Sequence, residues 1–458
     1  MKARAERMLD MTVGSPARLL ARFAFPLFLG NLLQQIYNLA DTAIAGHMLG
    51  DAALTQIGAS AALYSLITNL AFGMNNGLAL PVSRHFGAKD SDRLRQSVAW
   101  TVILSGACAA LLTVVFLLFR FPILRALHTP EDMFSGAMDY LVVILAGIPL
   151  TMAYNLEASL LQAVGNSRTP LLLLLFSSVL NIALDILFMG PLQMGVGGAA
   201  IATILSQGVS AVLGFLHICR YYPELKFGRA ALRVPHGFVA DLFMTGLSMS
   251  LMTAIYNIGS VMLQGSINEL GSAYIAAQIT ARRMAELIHT PGLALGMAVA
   301  TYSSQNYGAQ KRSRIAQGVK TAIMLYGAWW AIAMLLTFTL GAPTVRLISG
   351  SSDETVLFAA VQYLYISIPM IPPMAILVIL RSMMQGIRRR ISPLICSAVE
   401  MIGKIVFALW IVPAYGYIAV CVCEPVTWVA CCAMICIAVW RCRSELRDGA
   451  VHPERIRT

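Results

Sequence analysis

Apolar runs long enough to cross a bilayer recur almost without pause along this 458-residue chain, and that recurrence leaves few folds open. A hydrocarbon layer roughly 30 Å thick needs about 20 apolar residues per helix. About twelve runs qualify, near 18–40, 54–80, 96–119, 137–163, 170–190, 194–219, 238–264, 272–299, 315–340, 356–386, 391–413 and 416–440, numbered spans 1 to 12 in chain order. Lipid offers the backbone no hydrogen-bond partner, so only helices and closed barrels cross it, and these runs far exceed the roughly ten-residue strands of a barrel. The expected fold is therefore an all-α integral membrane protein. Composition agrees: with 58% hydrophobic residues, 12% charged residues and a mean hydropathy of +0.72, the chain carries more apolar surface than a water-soluble fold could cover.

Lys and Arg collect in the cytoplasmic loops of membrane proteins. With the N-terminus placed inside, the inside segments around 2–22, 84–95, 168, 220–233, 311–314, 388–390 and 441–457 hold 25 of the 33 basic residues, and the outside loops hold only Arg120, Arg125 and Arg346. Both termini are expected in the cytoplasm, with an even number of spans. The same asymmetry explains the net charge of +11; the basic residues are scattered by loop with no interleaved aromatic platform, so nucleic acid is not an expected partner. The opening "MKARAERMLDMTVGSPARLL" is charged and has no apolar core before a small-residue cleavage site, so no cleavable signal peptide is expected. Six of the nine cysteines crowd the end of the chain from Cys421 to Cys442 with no His beside them, which favours small apolar packing over a metal set.

The chain also repeats itself. "IYNLADTAIAG" (36–46) matches "IYNIGSVMLQG" (255–265), with Asp41 in the first copy where the second has Ser260. "FGAKDSDRLRQSV" (86–98) matches "YGAQKRSRIAQGV" (307–319) at an offset of 221. Tyr140, Pro149, Gln162 and Pro170 fall opposite Tyr363, Pro372, Gln385 and Pro393 at an offset of 223, and "GVGGAAIATILSQ" (195–207) sits opposite "GYIAVCVCEPVTW" (416–428). The predicted organisation is an N-terminal lobe of six spans over 1–219, a cytoplasmic linker over 220–237, a C-terminal lobe of six spans over 238–441 and a basic tail over 442–458. Six is even, so the second copy starts on the same side of the membrane, and two pseudo-symmetric bundles of this kind are the architecture of an alternating-access carrier. An intramembrane enzyme would need a nucleophile with its base or a His-rich metal motif, and neither HExxH nor GxSxG is present.

Ionisable groups inside a membrane are functional candidates unless a partner compensates them, because each costs about 3 kcal/mol or more. Six carboxylates qualify: Asp41, Glu157, Asp185, Glu286, Glu400 and Glu424. Glu400 and Lys404 stand one helical turn apart and can neutralise each other, and Glu286 lies within reach of Arg282 and Arg283. Glu424 precedes Pro425, whose ring strips a carbonyl one turn earlier of its donor, so it can serve either as a helix-break stabiliser or as a ligand. Glu157 has no basic residue within a turn and can face water in a cavity. Asp41 and Asp185 also lack a local cation, and Asn181 lies one turn before Asp185 on the same face. A desolvated carboxylate without a cationic partner either takes a proton or gathers a cation with neighbouring oxygens. Asn181 and Thr203 can supply such oxygens, which suit H+ or Na+ and do not suit a thiophilic metal.

Together, "LLQQIYNLADTAIAG", "FGAKDSDRLRQSV", "QAVGNSRTPLLL", "NIALDILF" and "GVGGAAIATILSQ", in this order, resemble the multidrug and toxic compound extrusion (MATE) transporters, in the branch that includes DinF-like bacterial proteins. The resemblance covers roughly 15–440. It implies a V-shaped secondary antiporter of a bacterial inner membrane that expels cationic or amphipathic small molecules while Na+ or H+ enters, with no other cofactor. It implies cation coupling at Asp41, Asn181, Asp185 and Thr203, a helix kink at Pro26, and substrate contacts at Gln34, Tyr37 and Asn155. Another branch of the family carries a carboxylate early in span 7; this chain has none there after Asp241, so a second cation site in the C-terminal lobe is not carried over. One chain already contains both lobes, so a monomer is expected.

Two rival readings are open on sequence alone. A lipid or lipid-linked oligosaccharide flippase of the wider superfamily would use intramembrane cations, and Arg282, Arg283, Lys320, Arg381 and Lys404 all lie in the second half. Convergence of Arg283, Arg381 and Lys404 on a cavity would favour it. A membrane-embedded enzyme is the other, and the missing catalytic constellation argues against it.

Overall fold

The structure is a computed structural model that describes residues 8–126 and 131–446, and among these every regular element is a helix. Lys2, Arg4, Arg7 and the part of the basic tail from 447 onward lie outside the described residues. The expected spans appear as Pro16–Leu49, Asp51–Gly87, Ser91–Leu118, a fourth in two pieces (Glu131–Ala146 and Ile148–Ala163), Arg168–Met189, Gly195–Tyr221, Phe238–Glu269, Ser272–Gly308, Arg312–Ser349, a tenth in two pieces (Glu354–Ser367 and Ile371–Gly386), an eleventh from Ile391–Val406 through a π turn to Val412–Tyr415, and Tyr417–Arg441. The chain is a multi-pass membrane protein of about twelve spans in two repeats.

Helix breaks repeat with the sequence. Span 4 bends by 47° at Gly147, and Pro149 opens its second piece; span 10 breaks at a 3-10 turn, Ile368–Met370, and Pro372 opens the next piece. Proline is tolerated in a first helical turn because its missing N–H would have no partner there. Spans 2 and 8 stand apart from the other ten, which are each apolar and long enough to cross a membrane if span 4 counts as one. Both occupy the same place in their repeat, span 2 packed on spans 3 and 4 and span 8 on spans 9 and 10. Neighbours shield them, so they can carry buried polar groups such as Asn75 and Ser83, or Gln278, Ser304 and Asn306.

Two compact units emerge, and their boundaries differ from the sequence repeat. One contains Leu29–Ser250; the other contains Asp10–Phe28 together with the described chain from Leu251 to Leu446. The first part of span 1 thus belongs with the second unit, and the first part of span 7 with the first. Hydrogen bonds from each leading segment account for this. In the second unit the Met11 N–H donates to Gln305 Oε1 at 2.9 Å, Asn306 Nδ2 donates to the Met11 carbonyl at 3.1 Å, Lys311 Nζ donates to the Thr12 carbonyl at 2.9 Å and Arg314 donates to the Gly14 carbonyl at 2.9 Å. In the first unit Gln96 Nε2 donates to the Arg233 carbonyl at 3.0 Å and Trp100 Nε1 to the Leu232 carbonyl at 3.3 Å.

Within the first unit, span 2 meets the leading part of span 7 backbone to backbone. A Cβ on Gly77 would stand 2.6 Å from Gly246 Cα, and a Cβ on Gly73 would stand 2.9 Å from Ser250 Cα. Small residues permit this approach where lipid supplies no hydrophobic drive between helices. Gly77→Leu is expected to destabilise by about 1–3 kcal/mol through overpacking, seen as a lower melting midpoint in detergent, whereas Gly106→Ala, with nothing within 4 Å of its new Cβ, should leave that midpoint unchanged.

Candidate functional site

The first unit gathers a polar cluster from spans 1, 5 and 6. Span 1 places Tyr37 and Asp41 one turn apart, span 5 places Asn181 and Asp185 one turn apart, and span 6 brings Thr203 alongside. Asn181 and Asp185 are 1% and 0% exposed, and Thr203 is buried. The Asp41 and Asp185 carboxyl groups face each other within hydrogen-bonding reach. With its amide nitrogen turned toward span 5, Asn181 donates to Asp185 Oδ2 at 2.9 Å. The Thr203 hydroxyl donates to the Ala199 carbonyl at 3.1 Å and lies close to the Tyr37 hydroxyl. The four residues expected to hold a coupling cation therefore converge.

Four further residues complete the cluster. Tyr64 of span 2 hydrogen-bonds Gln207 of span 6, whose Oε1 also accepts from the Thr151 hydroxyl at 2.6 Å. Tyr140 of span 4 lies within electrostatic range of Asp41, Asp185 and Tyr64. Sequence reasoning passed over Tyr64, Thr151 and Gln207, although a lone hydroxyl or amide inside an apolar span was the available signal. Gln34 and Asn155 sit apart from the carboxyls: Gln34 is exposed and donates to Asn38 Oδ1 at 3.1 Å, and Asn155 donates to the Thr151 carbonyl one turn earlier at 2.9 Å.

Among the described residues, no Lys or Arg acts on either aspartate, and Oδ1 of each is buried without a hydrogen-bond partner. Two such oxygens, with those of Asn181 and Thr203 beside them, fit a proton or a hard monovalent cation and no soft metal. Pro26 lies inside span 1, which continues as helix on both sides of it.

The remaining carboxylates have other fates. Glu157 is 9% exposed and its Oε2 is unpartnered, packed against Gly214 of span 6. Glu286 pairs with Arg282 at 4.0 Å. Glu400 lies 3.8 Å from Lys404 and 3.5 Å from Arg381. Glu424 lies 3.9 Å from Lys404 and accepts from the Tyr363 hydroxyl at 2.8 Å, so it is an ion-pair partner as well as the neighbour of a helix-interior proline. Arg381 and Lys404, two of the three cations whose convergence would favour the flippase reading, therefore meet carboxylates of their own unit.

The site pair makes a stability prediction. Asp185→Asn removes one of two facing carboxyl groups that no basic side chain compensates, so in sodium-free medium the melting midpoint of the unsubstituted protein should fall by roughly 2 °C or more between pH 6 and pH 9, and that of the variant should fall less. An equal fall in both would show that the pair takes up no proton.

Comparison with known proteins relates the whole chain to one family. The family profile described as MatE matches residues 26–187 and 247–410, one match in each repeat. The chain is 30% identical to the probable multidrug resistance protein YpnP of Bacillus subtilis over 67% of its own length and 68% of that protein. It is 21% identical to the multidrug export protein MepA of Staphylococcus aureus over 72% of its length and 73% of that protein. Its fold superposes on a crystal structure of a MATE protein in the bent conformation with a TM-score of 0.88, covering 95% of this chain and 97% of that one at 21% identity.

Proposed function

The chain belongs to the MatE family of membrane transporters, and from that premise we propose that it is a secondary antiporter that exports cationic or amphipathic drugs or metabolites in exchange for H+ or Na+. The observation that carries this reading is the Asp41–Asp185 pair, two buried carboxyl groups facing each other with no basic side chain to compensate them. Such a pair must draw its compensating charge from solution. The names of the relatives YpnP and MepA support drugs as the exported class.

Alternating access follows from competition. Asp41, Asn181, Asp185 and Thr203 take the cation, and the arrangement of span 1 that holds it favours drug release over drug retention, so each ligand lowers the affinity for the other. The ring of Pro26 leaves the Arg22 carbonyl without its helical donor, which lets span 1 bend near its point of passage between the two units. Gln34, Tyr37 and Asn155 lie on the same two spans as the coupling and hydroxyl groups and serve the drug. The transporter works as a monomer in a bacterial cytoplasmic membrane with its basic segments inside, consistent with the loop asymmetry of Lys and Arg.

Purified protein in lipid vesicles, loaded with a fluorescent cationic dye and given separate pH and Na+ gradients, tests the reading. Gradient-driven dye movement is expected for the unsubstituted protein, with a loss of at least about tenfold in Asp41→Asn and in Asp185→Asn at equal reconstitution. Full gradient-driven movement in both variants would overturn the coupling assignment, and no movement under either gradient would overturn drug antiport.

A further inference from the structure

The internal repeat maps five positions of the coupling cluster onto polar residues of the second unit, while Asp185 falls opposite Ala408. Tyr37 and Asp41 correspond to Tyr256 and Ser260 at an offset of 219, Tyr140 and Asn181 to Tyr363 and Lys404 at 223, and Thr203 to Glu424 at 221. Chain order scatters these five positions over four spans in each half. The fold gathers both sets.

In the second unit the centre of the set is an ammonium group. Lys404 Nζ donates to Ser260 Oγ at 3.1 Å and stands 3.8 Å from the centroid of the Tyr256 ring. It lies 3.8 Å from Glu400 Oε1 and 3.9 Å from Glu424 Oε1, and its side chain is 1% exposed. Tyr363 closes the shell by donating to Glu424 Oε2. The other charged or titratable groups acting on the cluster are Arg282, Glu286 and His289 of span 8, Arg381 of span 10, Cys396 of span 11, and Cys423 and Cys431 of span 12. Hydroxyl, aromatic face and two carboxylates are the groups that solvate a monovalent cation without water. Where the first unit leaves carboxylate oxygens unpartnered, the second fills the equivalent place from its own chain.

We propose that Lys404 is a tethered cation standing at the pseudo-equivalent of the coupling site, so that the second unit is permanently loaded and takes neither Na+ nor H+ from solution. This deepens the antiport reading and rests on it for the word coupling, but the contacts of Lys404 stand independently. Loss of the ammonium would leave Glu400 and Glu424 short of one positive charge in a dry site, and a cation from solution is the available replacement. Lys404→Asn installs the residue that the first unit has at this position.

Melting midpoints of purified protein test the proposal, measured with sodium chloride against N-methylglucamine chloride at equal ionic strength, and at pH 6 against pH 8. The background is Asp41→Asn with Asp185→Asn, which removes the first unit's site. That background is expected not to respond to sodium, and addition of Lys404→Asn or Lys404→Met is expected to create a rise of about 2 °C or more in sodium, or at the lower pH beyond the rise that the buried Glu157 of the first unit gives the background. Lys404 variants that melt lower without any new cation response would overturn the proposal and leave Lys404 as a structural ion pair. Should neither Lys404 variant fold, the background alone decides: a retained sodium response would mean that the intact second unit binds from solution, which also overturns it. Failure of the antiport reading is read separately, as absent dye movement in vesicles, and would leave the melting result standing.

Discussion

A charge buried among apolar helices has to be compensated by something, and the two halves of this chain meet that requirement in opposite ways. In the second half, Glu400 and Glu424 share Lys404, with Arg381 and the Tyr363 hydroxyl in support. In the first half, Asp41 and Asp185 face each other with only neutral partners. Removing one member of a buried ion pair costs about 3–5 kcal/mol, so the second arrangement is self-contained. The first has no basic side chain of its own among the described residues, and under the proposed antiport it is the place where a gradient would act.

Duplication supplies the frame in which this difference matters. Both repeats place a polar span at the centre of their bundle, break the fourth span at a proline, and dock a leading segment by hydrogen bonds to backbone carbonyls. The leading parts of spans 1 and 7 are each counted with the other repeat's unit, so the two spans that carry Asp41 and Ser260 are also those that pass from one unit to the other. A change at Asp41 is therefore made on a helix that reaches both units, through the single covalent path of its own backbone.

Sequence by itself determined the helical membrane fold, the number of spans and the two-fold repeat, because hydrocarbon thickness sets span length and backbone chemistry forbids alternatives. It also determined which carboxylates lack a local partner, since one helical turn is the reach of a side chain along its own helix. Asp41, Asn181, Asp185 and Thr203 were legible in this way and through family resemblance. Tertiary structure alone decided what lies beyond one turn: that Glu424 meets Lys404 across spans, that Tyr64 and Gln207 join the first cluster, and that the compact units cut spans 1 and 7 instead of the linker. The reason is distance. Compensation of a buried charge acts through space over a few ångströms, and in a bundle of twelve helices the nearest groups in space come from segments far apart in sequence.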